Sequence, residues 1–480
     1  MVLNLSEALL SFTIVPEIPT DYISKFYDFW ARIYLPSQKS RFIDISTGNF
    51  SVNYTVLDPY GTKKISVRAS GNESINTVIQ PLTQTVSQDE ISKAKEDVEI
   101  AVDAFEDQVR KNSLFFAWRE GESVVPERVS GKENKSLRRI FLETQILLIA
   151  IFMSFGILLF LVVEPRYVLF IPIVLLAVQF VFVFYSNKII ARSADWHITE
   201  ENPFIHILQY PLSAGLDSSV KKLSKEDLVR LKQQIYKETI AEKGELDCQK
   251  AHEIFANFGI DCKTEDLMAR KVNVYETVKK TADKFGYKVP ETIISNTLLP
   301  NAAASGPSPS RGIVLITTGT FLQLTDEEIV TVLGHEFGHL RGHDPLWLFG
   351  ISAVQYVVWF YLIFALIPTG SLLLLIIYLW VLLSLTYFVA KFFEARADLV
   401  SAMVVGEPAL LADSLEKIGF QRLLYERIPS FRFQEWLSWD PHPPIYFRID
   451  RLRSLVEPLK IKHPLLQSAR DVTRGFLSSF

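Results

Sequence analysis

Four stretches of this chain are apolar on every side, and the segments between them repeat at helical or strand periods. Phe141–Val163 runs for about 23 residues with one charge, Glu143, near its edge. That length crosses a bilayer core. Tyr167–Tyr185 follows after only Glu164-Pro165-Arg166. Leu346–Ile367 and Leu372–Ala390 flank Pro368-Thr369-Gly370-Ser371 and contain no charged residue. A soluble core helix rarely stays apolar all round for so long. The pattern predicts four transmembrane helices in two hairpins, 140–185 and 346–390.

Two soluble regions surround the hairpins, which makes the expected fold class an α+β membrane protein. Residues 1–139 read as an N-terminal soluble α+β domain. Phe50, Val52, Tyr54 and Val56 alternate as a strand, Asp58-Pro59-Tyr60-Gly61 forms a turn, and Ile65 and Val67 continue the return strand. Ser87 and Glu90 form a capping box for a helix that places Ile91, Val98, Val102, Phe105 and Val109 on one face. Nothing there carries chemistry, so an interaction or regulatory module is expected. Residues 186–345 and 391–480 form the second soluble region. Its helices are predicted over Leu228–Ile240 and Val274–Phe285, with extended chain over Glu291–Ser295 and Ile313–Thr317.

The densest chemistry lies just past the last of these strands. Thr325-Asp326-Glu327-Glu328 is a capping box with acids in the first turn. The helix it starts has an apolar stripe of Ile329, Val332, Leu333, Phe337 and Leu340, and Asp344-Pro345 ends the pattern. Inside it lies His335-Glu336-Phe337-Gly338-His339. Two histidines four apart share one helix face and can share one Zn²⁺, and the intervening Glu336 is placed to act as general base on a bound water.

A third ligand must come from elsewhere. The three-histidine metzincin spacing fails, because Pro345 occupies the required position. His343 lies one turn beyond His339, but three successive turns of a straight helix do not easily wrap one ion. Glu394 is the better candidate. It shares a helix face with Asp398, which can orient a ligand histidine. An ordinary solvated charge run is the alternative reading. The second hairpin bears on the choice: it begins just after His339 and ends just before Glu394, so both ends emerge on the same side of the membrane.

Two further segments carry possible roles. Leu298–Arg311 is rich in small residues, and Asn301, Ala302 and Ala303 leave room for an extended substrate to add to a sheet edge; a plain flexible loop fits equally. Asp440-Pro441-His442-Pro443-Pro444 precedes a helix containing Arg448. His442, held at that helix start, could donate to a tetrahedral oxyanion, or the run marks only a turn.

Composition narrows the partners. Hydrophobic residues make up 49% of the 480, and mean hydropathy is +0.18, in keeping with a membrane protein. Net charge is −4 with no basic tract, which argues against nucleic acid. Cys248 and Cys262 are the only cysteines and form no metal or disulfide pattern. No cleaved signal peptide is evident at the N-terminus. Arg138, Arg139, Lys188, Arg192, Arg341, Lys391 and Arg396 flank the spans on one side, against Arg166 on the other, which predicts that both soluble regions face the cytoplasm. Sequons at Asn4, Asn49, Asn53, Asn72 and Asn134 point the other way.

The motifs together resemble an HtpX-like integral membrane zinc metalloprotease, of the family that also includes the eukaryotic CAAX prenyl protease. The resemblance rests on Pro300-Asn301-Ala302-Ala303-Ala304, His335-Glu336-Phe337-Gly338-His339, Glu394-Ala395-Arg396-Ala397-Asp398, and His442-Pro443-Pro444 with Arg448. It covers about residues 140–190 and 270–455, leaving 1–139 unmatched and 195–263 as an insertion. It implies a zincin-like catalytic domain holding one Zn²⁺ per chain on His335, His339 and Glu394, with Glu336 as general base. His442 and Arg448 would contact substrate or transition state. The implied activity is endoproteolysis of membrane or unfolded proteins at the cytoplasmic face of the plasma membrane. Processing of lipidated C-termini and an inactive membrane scaffold are the alternatives.

Overall fold

In the computed structural model the described residues are 10–38, 40–58, 60–121, 124, 167, 170–192, 194–211, 223–260, 262–366, 372–426, 429–455 and 461–479. The first predicted span, Phe141–Val163, and the turn at 368–371 lie outside them. The chain is a mixed α and β protein that divides into two compact units.

The first unit comprises Met1–Phe115, Gln209–Ser224 and Phe255–Met268. It holds an antiparallel sheet of β1 (Leu10–Ile14), β2 (Phe42–Gly48), β3 (Ser51–Leu57), β4 (Lys63–Ser70) and β5 (Ile75–Pro81), in the order β1-β5-β4-β3-β2. Tyr54 faces Val67 and Val56 faces Ile65 across the β3–β4 pair, as their alternation requires. Asp58 Oδ1 closes the turn by accepting the N–H groups of Tyr60 and Thr62. The Gln88–Lys111 helix starts at the Ser87–Glu90 capping box. Buried Phe26, Trp30, Tyr54 and Phe105 make ring contacts with one another at 5.2–5.8 Å and fill the space beside the sheet.

The second unit comprises Phe116–Leu208, Lys225–Ile254 and Ala269–Phe480. A four-stranded sheet runs Ala302–Ser305, Ile313–Thr317, Glu291–Ser295, Trp196–Ile198 in spatial order. Ile313–Thr317 is buried throughout and lies parallel to Glu291–Ser295, while Ala302–Ser305 pairs antiparallel to it and forms one edge. The segment 298–311 therefore contains an edge strand. The Val274–Phe285 helix is capped by Asn273 and closed by Gly286 at φ 70°. The expected Leu228–Ile240 helix is α-helical over Lys225–Ile235 and widens to a π turn over Tyr236–Ile240.

Two helices frame the site. Asp326–Gly342 carries the two histidines and begins at the Thr325–Glu328 capping box. Leu372–Val404 is continuous for 33 residues, so the apolar segment and the Glu394 segment are one rigid element. Among the described residues it alone is long and apolar enough to cross a membrane, over Ile376–Val404. Asp344–Leu366 packs antiparallel beside it, with Thr386 Oγ1 donating to Gln355 Oε1 at 2.7 Å. The second predicted span is helical over the shorter Ile171–Phe184 and meets Asp344–Leu366 through Phe180 and Phe349. These helices expose large apolar side chains, among them Val354, Leu373, Ile376 and Trp380, each more than half exposed.

Candidate metal centre

A ridge of small residues brings the two framing helices together. Gly334, Gly338 and Gly342 recur every four residues and so line one face of the histidine helix. A methyl group on Gly338 would lie 3.0 Å from Ala397 Cα, and one on Gly334 would lie 2.6 Å from Ser401 Oγ. Each glycine costs the helix about 1 kcal/mol relative to alanine. The return is a backbone approach that longer side chains would prevent.

That approach sets the donor atoms. His335 Nε2 and His339 Nε2 are 3.1 Å apart, and each is 3.4 Å from a different carboxylate oxygen of Glu394. Four donors around one tetrahedral zinc stand roughly 3.3–3.6 Å from each other, given bonds of ~2.0–2.2 Å. The three residues fit such an ion. Among the described residues, buried Glu394 Oε2 has no hydrogen-bond partner, as a carboxylate oxygen reserved for a cation would have none. Burial disfavours charge on His335, yet Asp398 overrides it and lifts the imidazole to about 10. Burial likewise opposes ionisation of Glu394, yet His442, His339 and His335 hold its carboxyl well below the usual range. The cluster calls for positive charge, and a divalent cation answers that demand as a proton would.

Each imidazole is held from behind. His335 Nδ1 lies 2.8 Å from Asp398 Oδ1, and Arg448 grips both oxygens of Asp398 at 2.7 and 2.8 Å. His339 Nδ1 lies 2.8 Å from Asp344 Oδ2, which also accepts from Arg396 Nη2 at 2.6 Å. These contacts leave both Nε2 atoms facing Glu394.

Several placements differ from expectation. The histidine helix stops at Gly342, and His343 caps it in the left-handed region at φ 55°, exposed. His343 is therefore not on a further helical turn. Asp344, read in the sequence only as a helix stop, is buried beside His339. Arg448, expected at the substrate or transition state, is buried with its guanidinium on Asp398 behind His335. Arg396 and Lys391, counted above as membrane-flanking charges, are engaged inside the fold, Arg396 with Asp344 and Lys391 with main-chain carbonyls.

The open side is bounded by His442, Glu336 and the edge strand. His442 Nε2 lies 3.5 Å from Glu394 Oε2, and Asp440 Oδ1 holds its ring through Nδ1 at 2.7 Å. The Ala304 N–H donates to Glu336 Oε2 at 2.8 Å. Ala302 and Ala303 lie in the same strand, facing Ile316 and Leu315. Asn301 is fixed through its backbone, which bonds Thr317 and Thr320. Sequence reasoning missed Asp344 and Lys391. The four-residue spacing of Gly334, Gly338 and Gly342 is the sequence signal that could have found the helix contact.

An edge strand, a two-histidine helix and a carboxylate from a second helix come together around a group that could hold one metal ion. Residues 268–456 match the profile of Peptidase family M48. Protease HtpX homolog 2 of Methanosarcina acetivorans is 32% identical over 155 residues, covering 29% of this chain and 52% of that protein. This chain thus spans about half the length of that relative. The protease HtpX homolog of Gemmatimonas aurantiaca is 27% identical over 212 residues, 38% of this chain and 75% of that protein. The crystal structure of S. mikatae Ste24p aligns at 18% identity over 37% of this chain and 48% of that one, with a TM-score of 0.29. Residues 268–456 thus resemble Peptidase family M48, and the chain is similar to HtpX proteases over part of its length.

Proposed function

We propose that the chain is a zinc-dependent, membrane-bound endopeptidase that cleaves membrane or unfolded proteins. The observation that carries this reading is the mutual spacing of the His335, His339 and Glu394 donor atoms. These three residues would hold one zinc ion, which supplies Lewis acidity toward a water and the scissile carbonyl. Glu336 takes the proton released by the water and returns it to the leaving amine. Asp398 and Asp344 hold the tautomers of His335 and His339, and Arg448 acts through Asp398. His442 donates to the oxyanion. An extended substrate adds as a strand beside Asn301–Ser305 at the edge of the sheet.

Membrane insertion is supported by the exposed apolar side chains of the paired helices, since soluble surfaces rarely carry so broad an apolar area. Four spans in two hairpins, 140–185 and 346–390, then anchor a zincin-like catalytic domain formed by 186–345 and 391–480. With Lys391 and Arg396 discounted, Arg138, Arg139, Lys188, Arg192 and Arg341 still outnumber Arg166. The soluble parts therefore face the cytoplasm of a multi-pass plasma-membrane protein. The N-terminal domain, 1–139, serves a regulator or partner.

The test is detergent purification of the full chain with zinc content and casein cleavage measured together. One zinc per chain with cleavage supports the reading. A stoichiometric zinc protein that cleaves neither casein nor a membrane-protein substrate overturns it.

A further inference from the structure

The helix that delivers Glu394 also grips the loop that carries His442. Lys391 lies three residues before Glu394, close to one helical turn, and is fully buried. Its ammonium donates to the main-chain carbonyls of Asp440, of His442 at 3.2 Å and of Ser438 at 3.5 Å. An ammonium has three donors and no acceptor, so three carbonyls engage it fully. Taking that charge out of water is costly unless its donors are met, and burial accordingly pushes the Lys391 pKa down to about 8. Asp440 Oδ1 accepts the N–H of His442 at 2.8 Å and faces its Nδ1 at 2.7 Å, while Arg422 Nη1 donates to Oδ2 at 3.0 Å. The His442 ring is half-exposed, yet the backbone beneath it is anchored to a buried side chain.

We propose that Lys391 is a positioning residue that ties the Ser438–His442 loop to the Glu394 helix and so sets where His442 Nε2 stands over the reacting carbonyl. Glu394 and His442 then take their positions from adjacent turns of one helix. The proposal rests on His442 acting as the oxyanion donor.

The experiment uses the full chain in detergent, with fluorescent casein as substrate, comparing wild type, Lys391→Met, His442→Ala and the double variant. Zinc content and hydrogen–deuterium exchange over residues 438–442 are measured alongside. Lys391→Met should lower kcat by roughly 10²-fold, the loss typical of one misplaced oxyanion donor. KM and zinc content should change little, and exchange in the loop should quicken. The double variant should be no worse than His442→Ala, because a displaced donor and a deleted one are equivalent. Additive losses, an unchanged kcat or unchanged exchange each overturn the role of Lys391. If His442→Ala keeps full activity, the oxyanion reading falls and this proposal with it; if His442→Ala is impaired while Lys391→Met is not, only this proposal falls. Should Lys391→Met fail to fold, Lys391→Gln, whose shorter side chain offers two donors in place of three, should show a smaller fall in kcat with partly quickened exchange over 438–442; an unchanged kcat despite quickened exchange, or losses additive with His442→Ala, overturns the role.

Discussion

Asp344 and Arg396, 52 residues apart in sequence, meet at 2.6 Å through Asp344 Oδ2 and Arg396 Nη2. The same oxygen lies 2.8 Å from His339 Nδ1, and Arg396 also donates to the carbonyl of Gly338. One ion pair thus links the histidine helix, the Glu394 helix and the orientation of His339. Asp344→Ala should free the imidazole and lower zinc affinity by about 10–100-fold, the usual cost of losing such support. Zinc retention against a graded chelator measures it, and unchanged retention would show that the contact does not orient the ligand.

Glu336→Gln should keep zinc and fold while losing proteolysis by about 10²–10⁴-fold, because the amide fills the same space but cannot take a proton. Zinc content and casein cleavage on one preparation decide this. Substantial cleavage would remove Glu336 from the mechanism.

Glu394→Ala should lose zinc under mild chelation, and activity should fall with it. His343→Ala should retain the metal, since His343 is exposed and caps the helix rather than extending it. The reverse pattern would make the site a three-histidine one.

His343 also permits a stability test that needs no activity. A non-glycine residue in the left-handed region costs about 1–2 kcal/mol, so His343→Gly should raise stability by up to about 1 kcal/mol. Thermal unfolding in detergent reads the shift, and a clear loss of stability would point to a contact of the imidazole.

Gly338→Ala should do the opposite. Its methyl would sit 3.0–3.1 Å from the Cα and carbonyl oxygen of Ala397, which are backbone and cannot turn aside. Overpacking of this kind costs about 1–3 kcal/mol. Separation of the helices should also weaken zinc binding, because Glu394 is carried on the displaced element. A neutral effect on both would mean that the helices are not held at this distance by the glycines.

Local periodicity made much of this protein legible from its sequence. The capping box at Thr325, the buried strand Ile313–Thr317, the Val274–Phe285 helix and the Tyr54–Val67 pairing all follow from the spacing of apolar residues and from caps that act within one turn. His335, Glu336 and His339 are four residues or fewer apart, so helix geometry alone assembles them. Glu394 and Asp398 were reachable because a hairpin must return its chain to the side it left. What tertiary structure decided lies between segments. One positive φ at His343 ends a helix and turns Asp344 inward. The close approach at Gly338 and Gly342 sets Arg396 against Asp344. Arg448 and Lys391 read as ordinary basic residues in a sequence, because a charge carries no local sign of the buried carboxylate or carbonyls that packing will place beside it.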